Sequence, residues 1–314
     1  MQPLVSIITV NYNALEVTCE LLNSIRNNTY ANVETIVVDN ASEVNPEGFL
    51  KEHYPEIKFI RSEQNRGFAG GNNLGIRAST GDFLFFLNND AELTESAIET
   101  LLALFGSVPQ LGAASPKICY HNNGTEGHDV IQYAGTSPVH PLTARNRTFG
   151  VGQVDTGQFA EAKPTAYAHG AAMMVRREVF EKVGGMPEAF FLYYEELDWC
   201  EQIRRAGYQI YVEPRACIYH KESYSVSRNS VLKTYYLTRN RLFFMRRNKK
   251  HWQWAVFCAF LLMVTLPKNL LVYGARGEWQ HAKAFLNAIR WNFSENKNIS
   301  PVSTPLTFIT SPVF

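Results

Sequence analysis

The sequence predicts an α/β fold, in which a mostly parallel sheet carries helices on both faces and is followed by a C-terminal helical segment. Three observations support this prediction. Strands alternate with helices up to residue 118, residues 4–12 form the continuous apolar run of a strand covered on both faces, and residues 231–291 show helical spacing throughout. With 314 residues, 46% of them hydrophobic, the chain can bury a large core, which excludes a disordered or fibrous protein.

The individual elements follow from hydrophobic spacing and from turn-forming residues. Strands are predicted at residues 4–12, 33–39, 57–60, 83–87 and 171–175. Helices are predicted at residues 15–26, 46–53, 73–79, 178–183 and 195–206, with a further helix that has Thr94 as its N-cap. Residues 119–165 are polar, so we expect loops with only short strands there.

Charge is unevenly distributed, although the net charge is only +1. Twelve Lys and Arg but a single acid, Glu278, lie from Arg228 to Arg290, so this segment carries +11 and the remainder carries −10. The basic segment could face nucleic acid or anionic lipid, and composition does not choose between them.

The cysteines and the N-terminus bear on the compartment. Five cysteines without a CxxC pair argue against a disulfide framework or a zinc site and indicate a reducing environment. The first residues lack a basic region and a cleavage site, so we interpret them as a buried strand and not as a signal peptide.

Polar residues gather where the predicted strands end. Asp39, the loop 62–73 and Asn88-Asn89-Asp90 all fall at carboxyl ends, beyond which open α/β sheets bind ligands. A carboxylate at Asp39 can accept a hydrogen bond from N3–H of uracil or thymine, and Asp90 can hold a divalent metal ion. Both could instead be turn-forming residues.

The segment from Asn65 to Gly75, NRGFAGGNNLG, contains four glycines. It predicts an anion-binding loop that leads into a helix with Asn72 or Asn73 as its N-cap. The segment matches neither the dinucleotide-binding fingerprint nor the P-loop. The alternative is a tight loop that needs glycine only for its backbone angles.

Three carboxylates, Glu195, Glu196 and Asp198, fall within one helical turn beside several aromatic residues. Aromatic neighbours lower the local dielectric constant and raise the pKa of a carboxyl, which is the condition for a general base. The alternative is that these acids only stabilise the helix dipole.

Two histidines stand at positions that allow metal binding. His220 ends an apolar run, and His169 precedes Gly170. A lone histidine more often makes ordinary hydrogen bonds, so neither residue predicts a metal site by itself.

Together these motifs resemble inverting glycosyltransferase family 2, which has the Rossmann-like GT-A fold, and especially its rhamnosyltransferase-like branch. The segments that carry the resemblance cover residues 4–225: SIITVNYN, VVDNAS, NRGFAGGNN, FLNND, HGAAMMVRREVFEKVGGMPEAFFLYYEELDWC and YHKESYS. The resemblance implies a dTDP- or UDP-linked sugar donor, Mg²⁺ or Mn²⁺ as cofactor, and a glycan or lipid-linked glycan as acceptor.

The resemblance also implies roles for single residues. The residues implied to bind the donor are Asp39, which would read the base, Tyr12, which would flank it, and Asn65, Arg66, Asn72 and Asn89. Asp90 and His220 are implied to hold the metal ion, with Asn88 in place of the usual first acid.

The catalytic base implied by the resemblance is Glu196, at a position where the family more often has Asp. Glu195 and Asp198 are implied to support the base or to orient the acceptor. In the implied reaction, Glu196 removes a proton from an acceptor hydroxyl, whose oxygen attacks the anomeric carbon opposite the nucleotide and inverts that centre.

The C-terminal segment predicts attachment to a membrane. The apolar run 252–266 has Trp252 and Trp254 at one end and basic flanks, and it is interrupted by Pro267-Lys268-Asn269. Fifteen residues are too few to span a bilayer, so we expect a helix in the membrane interface, on the cytoplasmic face of the cell membrane. The alternative is a core helix or an oligomer contact.

The predicted organisation is a glycosyltransferase domain at 1–225, a basic helical segment at 226–300 and a tail at 301–314. Within the domain, residues 1–118 would form the nucleotide-sugar half and residues 119–225 the acceptor half. The predicted activity is metal-dependent transfer of one sugar, with L-rhamnose as the first candidate and a UDP-linked sugar as the alternative. The alternative from another functional class is a non-catalytic protein that binds a membrane or nucleic acid. The apolar run fits lipid better than nucleic acid.

Overall fold

The computed structural model describes residues 2–121, 129–221 and 230–294. The predicted tail at 301–314 and the end of the YHKESYS motif lie outside the described residues.

The first half of the chain alternates strands and helices as predicted, except that a short unpredicted strand, Ala91–Leu93, follows the strand Phe83–Leu87 without a helix between them. Its elements are β1 (Val5–Asn11), α1 (Leu15–Arg26), β2 (Val33–Asp39), α2 (Glu47–His53), β3 (Lys58–Arg61), α3 (Gly67–Ala78), β4 (Phe83–Leu87), β5 (Ala91–Leu93) and α4 (Ala97–Ser107). The middle of the chain contributes β6 (Leu111–Tyr120), β7 (Ile131–Tyr133), β8 (Lys163–Pro164), β9 (Ala172–Arg176), α5 (Arg177–Val183), a 3-10 turn (Glu188–Phe190), α6 (Glu195–Arg205) and β10 (Gln209–His220).

The strands form one sheet in the order β3-β2-β1-β4-β9-β6-β10-β5, with β7 on β6 and β8 on β10. The half made of β1 to β4 is parallel, whereas β9 runs antiparallel between β4 and β6. The α/β fold with flanking helices is therefore confirmed, with a sheet that is mixed. Because β1, β2 and β4 are parallel, their carboxyl ends meet at one edge, where the polar motifs lie.

Helix α3 begins at Gly67, six residues earlier than predicted. The glycines are therefore helical, and neither Asn72 nor Asn73 is the N-cap. A Cβ atom would lie 2.8 Å from Val10 at Gly71 and 2.3 Å from Ile8 at Gly75, so these glycines let the helix lie directly on β1. The predicted start of α4 was also wrong, because Thr94 donates its hydroxyl to the carbonyl of Cys217 instead of capping the helix.

The C-terminal region is helical, as expected. It comprises α7 (Val231–Asn248), α8 (His251–Phe260), a π turn (Leu261–Thr265), α9 (Leu266–Ala275) and α10 (Trp279–Phe293). Helix α7 packs into the core on one face of the sheet through Leu242, Phe243 and Phe244, beside α3 and α6.

The apolar run is longer than predicted, because Pro267 does not interrupt it. Helices α8 and α9 and the π turn form one continuous helix, His251–Ala275, with a mean hydropathy of 2.0, which is long and apolar enough to cross a membrane. The missing N–H and the ring of a proline disturb a regular helix, and the wider π turn before Pro267 accommodates both. The expectation of a segment too short to span a bilayer was therefore wrong.

Candidate functional site

A cavity of about 470 Å³ opens at the carboxyl edge of the parallel strands. It is lined by residues that follow β1, β2 and β4, by residues 169–171 before β9, by residues 191–196 around the start of α6, and by the first turn of α7.

One end of the cavity is formed by Tyr12, Asn40 and Asn65. Tyr12 is 40% exposed. The amide of Asn40 donates to Asn65 Oδ1 at 3.0 Å and to the carbonyl of Gly67 at 3.1 Å, and its oxygen accepts from the N–H of Arg66 at 2.9 Å. Asn40 therefore fixes the shape of the glycine-rich segment.

Asp39 lies behind this end of the cavity and is fully buried. Its Oδ1 accepts from Asn11 at 2.8 Å, while Oδ2 accepts from Arg61 at 2.8 Å and from the N–H of Ser42 at 3.2 Å. A carboxylate has about four acceptor positions, so one on Oδ1 is left.

The glycine-rich segment brings fewer groups to the cavity than expected. Arg66 points toward Glu188, with 3.9 Å between Nη1 and Oε2, and Asn72 is buried and donates to the carbonyl of Phe68. The N–H groups of Arg66, Gly67 and Phe68 all donate within the protein. The segment therefore shapes the cavity wall and does not present these three N–H groups to an anion.

The segment after β4 places Asn88, Asn89 and Asp90 on the cavity wall. Asn89 donates to Thr18 Oγ1 at 3.0 Å, which ties the segment to α1.

Asp90 and His220 meet, as the metal prediction requires. His220 Nε2 lies 3.0 Å from Asp90 Oδ1 and 3.2 Å from Asn88 Nδ2. On the other side of the ring, Nδ1 lies 2.8 Å from Gln132 Oε1, a contact that favours the tautomer with the proton on Nδ1 and the lone pair on Nε2 when the ring binds a cation. A lone pair and a carboxylate that converge in this way fit a divalent cation. Within the described ranges no group of three His, Cys, Asp or Glu side chains could hold a metal ion, so in that part of the chain the candidate site is this pair alone.

His169 lies across the same cavity as a neutral ring. Burial, and secondly the nearby His220, lower the pKa of His169 to about 3. Its Nδ1 accepts from the N–H of Ala171 at 3.1 Å, so the ring proton is on Nε2.

Glu195 and Glu196 enter the cavity from the first turn of α6. Each has one buried carboxyl oxygen, Oε2, without a hydrogen-bond partner. Burial raises the pKa of Glu196 to about 7, and burial together with the neighbouring Glu196 holds the pKa of Glu195 well above its usual range. Of the two, Glu195 therefore holds its proton more tightly, while Glu196 can accept a proton near neutral pH.

Asp198, the third predicted carboxylate, is not on the cavity wall. It is fully buried and accepts from Arg247 Nε at 3.0 Å and from Asn248 at 2.6 Å. These bonds join α6 to the end of α7.

A comparison with protein families identifies the fold around this cavity. Residues 6–184 match the family model described as glycosyl transferase family 2. The chain belongs to glycosyl transferase family 2. It therefore carries a glycosyltransferase domain of the GT-A type, as the sequence motifs predicted.

Among curated relatives, a low-salt glycan biosynthesis hexosyltransferase from Haloferax volcanii is 33% identical, over 65% of this chain and 63% of the relative. The chain thus spans less than two thirds of that protein. An N-acetylglucosaminyl-diphospho-decaprenol L-rhamnosyltransferase from Mycobacterium tuberculosis is 23% identical, over 63% of this chain and 69% of the relative.

Solved structures show the same fold at low identity. A mannosyltransferase from Pyrobaculum calidifontis, in complex with GDP-Man and Mn²⁺, is 18% identical with a TM-score of 0.57, and the alignment covers 95% of this chain and 89% of that one. Residues 1–349 of TarS from S. aureus are 16% identical with a TM-score of 0.55, over 91% of this chain and 81% of that one.

Some residues at the cavity were not found from the sequence. Lys233, in the first turn of α7, is the only Lys or Arg on the cavity wall in the part of the chain that the structure describes. Its position was hidden because 143 positions separate it from Asp90 on the same cavity wall, and no local pattern signals that the chain folds back. Gln132 likewise lies in a loop-rich region without a motif.

Proposed function

We propose that this protein is an inverting glycosyltransferase that moves one sugar from a nucleotide-linked donor to a hydroxyl of a glycan. The observation that carries this proposal is the meeting, in one cavity, of the buried Glu195 and the half-buried Glu196 with the Asp90–His220 pair and the strand ends. A base and a diphosphate-binding group in one cavity are what a single displacement at an anomeric carbon needs.

In the proposed reaction, the ionised carboxylate of Glu196 removes the proton of an acceptor hydroxyl while that oxygen bonds to the anomeric carbon. The bond from that carbon to the diphosphate breaks on the opposite face, and the electron pair leaves with the diphosphate. Lys233 supplies positive charge that stabilises this leaving group. The N–H groups of residues 66–68 cannot stabilise it, because they already donate hydrogen bonds within the protein. The Nε2–H of His169, and Glu195 in its protonated form, can donate hydrogen bonds to substrate hydroxyls.

Asp90 and His220 would hold Mg²⁺ or Mn²⁺, with the ring of His220 oriented by Gln132. The ion would supply Lewis-acid stabilisation of the diphosphate charge. Two related folds were solved with Mn²⁺, which supports this choice of cofactor.

At the donor end, we propose that Tyr12 flanks the base and that Asp39 accepts N3–H through its remaining acceptor position on Oδ1. Asn65 and Asn89 line the cavity and remain candidates for donor contacts, whereas Arg66 and Asn72 would act through the shape of α3. We propose dTDP-L-rhamnose as the donor, on the resemblance to the rhamnosyltransferase branch, with a UDP-linked sugar as the second candidate. A lipid-linked glycan is the proposed acceptor, in keeping with the name of the mycobacterial relative, a diphospho-decaprenol rhamnosyltransferase.

We also propose that the helix His251–Ala275 lies along an anionic membrane surface and does not cross it. Its inner face packs on the protein: Phe257 and Leu261 are buried in the core, and Tyr273 contacts the ring of Phe285 on α10. Its outer face exposes Leu262 (55%), Met263 (73%) and Leu271 (73%). A helix held by the protein at both ends can insert one apolar face between lipid headgroups without leaving its contacts.

The direct test is a panel of dTDP-, UDP- and GDP-linked sugars, each incubated with a lipid-linked glycan acceptor and Mg²⁺ or Mn²⁺. We expect a glycosylated acceptor with inverted anomeric configuration from a dTDP- or UDP-linked donor. If no donor gives transfer to any glycan acceptor, the proposal fails.

A further inference from the structure

The four residues before the carboxyl pair have an unusual backbone. Phe191, Tyr193 and Tyr194 have φ angles of +64°, +71° and +75°, in the left-handed region that favours glycine. Such angles strain residues other than glycine and persist only where the surroundings hold them. This strained segment leads directly into Glu195 and Glu196.

A pair of side chains from α7 holds the strained segment. The amide nitrogen of Asn240, whose side chain is 0% exposed, lies 2.8 Å from the carbonyl of Phe190, 2.7 Å from that of Leu192 and 2.8 Å from that of Tyr193. Three carbonyls thus converge on a single amide group.

Arg239 completes this arrangement. Its Nη2 donates to the carbonyls of Ala189 and Phe190, both at 2.6 Å, and its Nε donates to Asn240 Oδ1 at 2.7 Å. The last bond fixes the orientation of the Asn240 amide, because an oxygen faces the guanidinium and the NH₂ must then face the carbonyls. The guanidinium also packs on the rings of Tyr236 and Trp291.

We propose that Arg239 and Asn240 are positioning residues that hold the segment 189–194, and through it Glu196, in the geometry for proton removal. The inference rests on the proposed function for the role of Glu196. Helix α7 is then part of the catalytic unit and not an appended membrane segment, so the unit extends beyond the predicted boundary at residue 225.

The first test is hydrogen exchange of the backbone amides of residues 190–195, which needs no substrate. Asn240→Asp keeps the size of the side chain but replaces its donors with a carboxylate that faces three carbonyls. We expect exchange in this segment to become at least about tenfold faster than in the wild type, because local opening becomes easier. Unchanged exchange in a folded Asn240→Asp variant would overturn the proposal.

The second test is kinetic. A base misplaced by about 1 Å loses roughly 10²-fold in rate, so kcat should fall at least about tenfold, while the affinity for the nucleotide alone changes less than about twofold. Water that reaches Glu196 should also lower its pKa, so the acidic limb of the kcat profile should move to lower pH. The titratable groups around Glu196 are Glu195 and Cys200 on α6, with Arg239 on α7 and His169 across the cavity.

Asn292→Asp is the matched control. Asn292 is equally buried and donates to the backbone carbonyls of Arg239 and Ala288, but it does not touch the segment 189–194. Asn292→Asp should lower Tm without moving the acidic limb of the kcat–pH profile and without changing the hydrogen exchange of residues 190–195. An equal loss of kcat in this control would show that α7 acts only through stability, and the proposal would fall.

Arg239→Lys covers the case in which Asn240→Asp does not fold. It keeps the charge near Glu195 but cannot keep all three donations, so it should shift exchange and kcat in the same direction by a smaller factor. No shift in either quantity would contradict the proposal. A wild-type protein without transfer activity would instead refute the proposed function, and hydrogen exchange would still decide whether Arg239 and Asn240 hold the segment.

Discussion

Replacing Glu196 with Gln tests both the assignment of Glu196 as the base and the effect of burial on its pKa. Burial makes the carboxylate a better base, which favours activity, but it lowers the stability of the folded protein. The pKa of Glu196 is about 7 in the folded protein, against an ordinary value of 4.5. The folded state therefore binds more protons than the unfolded chain between these values, and stability falls as pH rises through this window. Above pH 7 the full penalty is on the order of 3 kcal/mol, because one pKa unit corresponds to about 1.4 kcal/mol.

Glu196→Gln removes the ionisable group but keeps its size. We expect the variant to be more stable than the wild type by about 3 kcal/mol at about pH 8, and by no more than about 1 kcal/mol at about pH 5, where the folded wild type is already protonated. Sugar transfer should fall by about 10² or more, with donor affinity nearly unchanged, because Gln cannot accept the proton. Urea unfolding at both pH values and steady-state transfer kinetics measure the two effects.

Glu195→Gln is the control within the same pair. Burial and the neighbouring Glu196 raise the pKa of Glu195 and so favour its neutral form, and its replacement by a neutral amide should therefore preserve most of the turnover. Near-normal turnover in Glu196→Gln would refute the assignment of the base, and a large loss confined to Glu195→Gln would transfer the role to Glu195. An equal change of stability at both pH values would refute the raised pKa.

Three further predictions concern the cofactor, the donor and the membrane. A chelator should abolish sugar transfer, and added Mg²⁺ or Mn²⁺ should restore it. His220→Ala should weaken metal binding, measured by calorimetry. Full activity in excess chelator would contradict the proposed metal site. UDP and dTDP should both compete with the donor, with GDP clearly weaker, because the contact proposed for Asp39 is with N3–H, which uracil and thymine share. Tight GDP binding would overturn this proposal. Wild-type protein should bind anionic liposomes, less so at high salt, since each basic residue contributes about 1 kcal/mol that salt screens. Replacing Leu262, Met263 and Leu271 with Ser should release it with nucleotide binding intact, and wild-type protein that does not bind at low salt would refute the membrane proposal.

The parallel half of the fold could be predicted because each of its elements has a local pattern. The strand cores from Val5 to Leu87 are apolar runs bounded by turn residues, and the rule for parallel sheets then places Tyr12, Asn89 and Asp90 at one edge. The meeting of Asp90 with His220 was implied by the family resemblance, and the geometry of β10 beside β5 brings it about.

Other features depend on contacts that no local pattern records. Strand β6 has the sequence LGAASPKICY, which contains small residues and a proline, and it is a strand because β9 and β10 pair with it. The early start of α3 depends on the close contact of Gly71 and Gly75 with β1. The burial of Asp198 depends on Arg247, which lies 49 residues further along the chain.

Helix α7 joins the two ends of the molecule that substrates and lipid would occupy. Lys233 in its first turn lines the cavity, and only two residues separate its last residue, Asn248, from the apolar helix. The 18 residues of α7 measure about 27 Å along the helix axis. If the apolar helix lies on a membrane surface, this length limits how far the cavity can stand above that surface. The length of α7 would then determine which acceptor hydroxyls can reach the base. An acceptor whose reactive hydroxyl stands farther from the bilayer than this length would miss the base, and selection by chain length would need no sugar-specific contact.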